Sequence, residues 1–175
     1  MADGTLKVGT ITTSSGSGTI TIGSGVTLLS NVPAFEATIT TEQNPSGGTD
    51  TLINFDNEVF DTDGAYDTTN KRFTVPSGKA GKYHFYCDAC IGSSANSGLA
   101  QCQTYIYKNG VKTNTRTLFN SNNDGNGRYM QLTLLTTMDL AVGDYIEIYG
   151  RADLDSGTVE VRTAESRFGA YRIGA

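Results

Sequence analysis

From residue 34 onward the chain alternates apolar and polar positions with a period of two, in short runs divided by turn-forming breaks. In "AFEATITT", Phe35, Ala37 and Ile39 fall on one side and Glu36, Thr38 and Thr40 on the other, which predicts a half-buried strand. "EQNPSGGTD" breaks the run with Pro45, Gly47 and Gly48. "TLINFDNEVF" is extended again, "DTDGAYDTTNK" is a turn cluster, "RFTV" a strand and "PSGKAG" a break. In "KYHFYCDACI", Tyr83, Phe85, Cys87, Ala89 and Ile91 share one wholly apolar face. "AQCQTYIYK" and "VKTNTRTLFN" flank Asn109-Gly110, the strongest short hairpin signal available. "RYMQLTLLTTMDL", "YIEIYGRA", "TVEVRT" and "RFGAYRI" complete the series, and no helical periodicity of ten or more residues interrupts it. Short strands with turns every several residues predict an all-β sandwich, jelly roll or barrel.

The first thirty-one residues read differently. "TLKVGTITTSSGSGTITIGSGVTLLS" scatters single apolar residues among Thr, Ser and Gly. Leu6, Val8, Ile20, Ile22, Val26 and Leu28 have the same parity, so extended segments would carry one apolar strip. Such a strip cannot bury itself, whereas three copies could wrap together or add strands to a neighbour's sheet. The expectation is a docking or trimerisation arm over residues 1–31 and one domain over residues 32–175; a flexible Gly/Ser tail is the plain alternative.

Composition narrows the function classes. The 9 Tyr and 7 Phe suit pleated, half-buried surfaces, and 21 Gly supply turns. A net charge of −5 with no Lys/Arg run argues against a nucleic-acid partner, because phosphate neutralisation needs a concentrated basic face. No run of about 18 apolar residues exists to insert in a membrane. The start, Met1-Ala2-Asp3-Gly4, lacks the basic-then-apolar order of a secretory signal, so the expectation is a chain made in a cytoplasm and released, if at all, by another route.

Candidate chemistry is sparse. Cys87, Cys90 and Cys102 are an odd count that fits reduced thiols. Cys87 and Cys90 stand three apart on an extended run and so face opposite ways, which favours buried apolar thiols over a zinc or redox pair. His84, the single histidine, lies opposite the Tyr83/Phe85 face, and no serine has the glycine context of a nucleophile elbow. "DTDGAYD" offers Asp61, Asp63 and Asp67 for calcium, but its spacing departs from the calcium-loop pattern, and an Asp-Gly turn is favoured. The expectation is a chain with no cofactor and no catalytic residue.

Specific residues add a resemblance. Phe60, Gly64, Tyr66-Asp67, Phe73, Pro76, Gly81, Tyr83 and Phe85 resemble a pattern in which "YD" precedes an "F-x-x-P" and a "G-x-Y-x-F" strand. Phe35 in "PAF", Lys108-Asn109-Gly110 in "IYKNG", Gly143-Asp144 in "LAVGDYIEI", and Phe168-Gly169 in "SRFGAYRI" complete it. The pattern is similar to that of the globular head of the complement first component's q subunit, a relative of tumour necrosis factor. The resemblance covers about residues 32–175. It implies a ten-stranded jelly-roll sandwich, a compact homotrimer, and recognition rather than catalysis. "PSGKAGKY" is longer than the family's step, and the loops "SSANSG" and "NSNNDGNG" are this chain's own.

A Gly/Thr-rich arm leading into such a head resembles the layout of bacteriophage virion appendages, which leave the cell by lysis. The sequence reading is therefore a virion structural protein, docked through its arm onto phage capsid or tail proteins. As a capsid decoration protein or short fibre it would be structural; as a tail fibre it would bind a host surface glycan, with the two Asn/Ser-rich loops as the first candidates. A polysaccharide-degrading enzyme is the reading from another class. Phe35 and Tyr171 are candidates for the threefold axis.

Overall fold

The computed structural model describes Ser24 and residues 32–121, 127–163 and 165–174. The strip Leu6, Val8, Ile20, Ile22, Val26 and Leu28 lies outside the described residues, as do positions 122–126 of the "NSNNDGNG" loop. Val32–Ala175 forms one compact unit.

Twelve strands follow one another among the described residues: β1 (Ala34–Thr38), β2 (Thr51–Leu52), β3 (Asn57–Asp61), β4 (Tyr66–Asp67), β5 (Arg72–Thr74), β6 (Gly81–Ser93), β7 (Leu99–Lys108), β8 (Val111–Asn120), β9 (Tyr129–Leu140), β10 (Tyr145–Leu154), β11 (Val159–Val161) and β12 (Arg167–Gly174). The period-two runs locate the longer ones. The expected ten strands are those of three residues or more, since β2 and β4 have two residues each.

Every pairing is antiparallel, and the strands make two sheets. In the first, β6 is central. One side pairs with β9 along almost its whole length; the other pairs with β12 and then β11, and β1 and β3 follow beyond β12. In the second, the order is β4-β5-β10-β7-β8, with β2 joining β10. This is a jelly-roll sandwich whose sheets bury one face each.

The core lies between the sheets and is aromatic at one end. Phe35 stacks on Tyr66 and Phe73 with ring centroids 4.7 and 5.1 Å apart, and Phe168 meets it edge-on at 5.0 Å. Phe35, Phe73, Tyr83, Phe85 and Phe168 are all essentially inaccessible. Each such ring removes enough apolar surface from water to stabilise the fold by about 1.5–3 kcal/mol. Phe35 therefore cannot line a threefold axis, as the sequence had offered it to do: its ring is spent between the sheets.

Candidate functional site

The motif residues are, first, the frame. Tyr66 drops its ring into the core, and its hydroxyl donates to the Phe55 carbonyl at 2.8 Å, so the polar tip of a buried ring is satisfied. Burial holds that phenol well above its ordinary pKa. Pro76 opens a turn in which the Lys79 amide bonds back to the Pro76 carbonyl, and the Tyr83 hydroxyl donates to the Lys79 carbonyl at 2.6 Å. Gly81, at φ 140°, occupies backbone space that side chains rarely allow, which explains the "P…G-x-Y" spacing.

Beside this turn, tied to it by backbone bonds from the Val75 N–H to the Asp144 carbonyl and from the Gly143 N–H to the Val75 carbonyl, two sequence-distant motifs meet. Asn109 and Gly110 both have positive φ, 53° and 74°, the geometry of a type I′ hairpin between β7 and β8. The Asn109 amide donates to Asp144 Oδ1 at 2.8 Å, and its oxygen accepts from the Tyr145 N–H at 2.8 Å. Lys108 Nζ sits 2.7 Å from Asp144 Oδ2, which also accepts from the Ala141 N–H. The bond from Lys108 first, then those from Asn109 and Ala141, hold the Asp144 carboxyl down at about 2. "KNG" and "GD" are thus two halves of one latch.

The acidic turn does similar work. Asp61 accepts from the Asp63 and Tyr66 amides at 3.1 and 2.6 Å, and Asp67 from those of Thr69 and Asn70 at 2.7 and 3.0 Å. Hydrogen bonds from Asn70 and Thr69 hold Asp67 below the usual carboxylate range. These oxygens cap backbone N–H groups, and among the described residues no three metal-ligating side chains converge. Cys87 points into the core and Cys90 the other way, as strand alternation requires; Cys102 is in the second sheet. Burial pushes the Cys102 thiol up to about 12 and the Cys87 thiol further still, so neither is a nucleophile at neutral pH.

The distinctive surface is the outer face of the β6 sheet. Register places Leu135, Tyr86, Gly169, Glu36 and Phe60 in one row across β9, β6, β12, β1 and β3. Thr137, His84, Tyr171 and Ala34 make the next. Leu135 is 61 % exposed, Ile173 53 %, Phe60 45 % and Tyr171 45 %. Single exposed apolar side chains are ordinary; here they recur on one face, Leu135 of β9 beside Tyr86, Tyr171 on β12 and Phe60 on β3 at the other edge. Within the row, the Tyr86 ring end crosses Gly169 and its hydroxyl donates to Glu36 Oε2 at 2.8 Å. A Cβ on Gly169 would lie 2.3 Å from the Tyr86 ring end and 2.7 Å from the Phe35 carbonyl, so only glycine fits there. Burial and the Glu36 carboxylate keep the Tyr86 phenol protonated. The sequence reading missed this face except for Tyr171; its signal was Tyr86, Leu135 and Tyr171 standing at polar phases of their strands.

The loop end holds a second feature. A groove of about 810 Å³ runs between residues 42–48 and 153–160. The "SSANSG" loop does not line it but braces its wall: the Ser93 hydroxyl donates to the Ser156 carbonyl at 2.7 Å, and the Thr158 N–H to Ser94 Oγ at 2.9 Å. Its carboxylates are engaged, Asp153 by Arg151 at 3.2 Å, Glu42 by Arg162 at 3.6 Å and Glu160 by the Tyr129 hydroxyl at 2.5 Å. Among the described residues no aromatic ring lines it, so a sugar would find polar groups but no stacking platform.

No protein-family model matches the chain, and no curated protein matches it. Solved structures do. The globular domain of zebrafish complement 1qA superposes with a TM-score of 0.55 at 12 % identity, over 81 % of this chain and 97 % of that one. Murine APRIL at pH 5.0 gives 0.59 at 12 % identity, over 81 % and 99 %. Eiger TNF from S. frugiperda gives 0.56 at 10 %, over 83 % and 94 %. The chain has the complement q and tumour necrosis factor-like jelly-roll fold.

Proposed function

We propose that residues 32–175 are the head of a homotrimer that serves recognition or particle structure, not catalysis. In this reading residues 1–31 dock it onto a bacteriophage particle as a capsid decoration protein or short fibre. The observation that carries it is the outer face of the β6 sheet, where Leu135 beside Tyr86, Tyr171 on β12 and Phe60 on β3 stand exposed on one side. A solvated sheet face has no reason to gather such side chains, and a second copy of the chain would bury them. The fold likeness supports three copies rather than two. The absence of catalysis is supported by the chemistry of the reactive groups: inert buried thiols, and a lone imidazole bonded to a threonine hydroxyl. Three buried free cysteines also suit a chain kept from oxidising compartments, as a lysis-released particle component would be.

Host-glycan binding by a tail fibre is the second reading, and the groove at the loop end supports it. Two measurements test the proposal. The mass of the full chain in solution should be that of three copies; a monomeric mass at micromolar concentration overturns the assembly. Imaging of purified phage particles with and without the chain should show density on shell or tail, and density on neither overturns the virion role.

A further inference from the structure

His84 is the only histidine in the chain, and it stands in the middle of the face just assigned to assembly. On β6 it lies between Thr137 of β9 and Tyr171 of β12, both opposite it in register. Its Nδ1 is 3.2 Å from the Thr137 hydroxyl, and its ring lies 5.4 Å from that of Tyr171. We infer that His84 makes assembly of this chain pH-dependent, protonation of its imidazole driving the copies apart; the inference rests on the outer face of the β6 sheet being the contact surface.

The charges around it favour that sign. Along its own strand come Lys82 and Tyr86, a cation and a phenol. From β9, Asp139 faces Lys82 rather than His84. From β12, Arg172 stands opposite Tyr83 on the other phase of the sheet and bonds the Ala80 carbonyl at 2.6 Å, so it does not face the imidazole. From β1, the Glu36 carboxylate is taken by the Tyr86 hydroxyl; on β6 and β12 the Asp88 carboxylate, two outward positions beyond His84, is paired with Arg167 at 2.8 Å. The two residues opposite the imidazole are a threonine and a tyrosine, so no carboxylate stands opposite to compensate an imidazolium once a second copy excludes water.

The linkage follows directly. Burying the imidazole between copies disfavours its charged form, so acid weakens the assembly. Each of the three copies brings one such imidazole to the contact, so the expected reading is an association weaker by at least about tenfold at about pH 5.5 than at about pH 7.5. Other side chains with ordinary pKa values hardly change charge across that window.

The test is sedimentation of the full chain over a dilution series at both pH values and fixed salt, for wild type and His84→Gln, with circular dichroism confirming the fold. Where the trimer is too tight to dissociate, exchange between isotopically labelled and unlabelled copies is followed by native mass spectrometry. The expected result is weaker association or faster exchange at the lower pH for wild type, and none for His84→Gln. Wild-type association that ignores pH overturns the role of His84 and leaves the assembly standing. The same acid weakening in His84→Gln also overturns it, assigning the effect to carboxylates. A chain monomeric at both pH values overturns the assembly reading and this inference with it.

Discussion

Gly169 shows how one residue couples the core to the surface. Its missing Cβ admits the Tyr86 ring end on one side and the Phe35 carbonyl on the other. Gly169→Ala is expected to lower stability by about 1–3 kcal/mol, because neither β1 nor the Tyr86–Glu36 bond can yield without cost. Thermal unfolding measures this; an unchanged midpoint would show that Tyr86 swings away freely. Asp144 acts by charge. Its carboxyl is depressed from an ordinary 3.8 to about 2, so its contribution is complete above about pH 4 and lost as pH falls towards 2. Asp144→Ala should cost about 1 kcal/mol at neutral pH, modest because the latch is solvent-screened, and progressively less as pH falls towards about 2. Parallel melting curves across that range would check it. Both residues belonged to the resemblance read from the sequence, yet their partners Tyr86 and Asn109 are 83 and 35 positions away, and only folding brings them close.

At the scale of elements, the strands follow from alternation and the turns from Asn, Gly and Pro chemistry. β6 is the clearest case: thirteen residues place Tyr83, Phe85, Cys87, Ala89 and Ile91 inward and Lys82, His84 and Tyr86 outward. The same alternation separates Cys87 from Cys90, and burial raises the pKa of all three thiols. In the native chain none should react with a thiol reagent on the timescale of minutes at neutral pH, and all three should react after denaturation. Rapid labelling of any one in the folded chain would contradict its burial. What alternation could not give is the neighbour of each strand. β11 and β12 both lie against β6, and the two-residue β2 and β4 are too short for any period to register.

The whole molecule turns on what covers the outer face of the β6 sheet. Leu135→Arg places a charge beside Tyr86 on the outer face, on a side chain 61 % exposed in the single copy. The isolated head should keep its melting temperature to within a few degrees, while association falls by at least about 100-fold, the effect of about 3 kcal/mol at a contact. Sedimentation of wild type and variant distinguishes the two effects; undiminished association would move the contact surface elsewhere.

Period-two alternation, turn chemistry and a handful of spaced aromatics were enough to specify an all-β jelly roll and the inward set of its core, because each is a local property of a strand or turn. The sequence also placed His84 opposite the apolar face, since parity alone decides that. It offered Phe35 as a surface residue, because an aromatic ring has the same letter whether it meets a second copy or the opposite sheet. Tertiary structure decided that Phe35 is core, that Lys108-Asn109-Gly110 and Gly143-Asp144 close one latch, and that Leu135, Tyr86, Tyr171 and Phe60 share one face. Those are statements about which strands lie side by side. Pairing is set by the summed packing of two sheets, and no single stretch of sequence carries it.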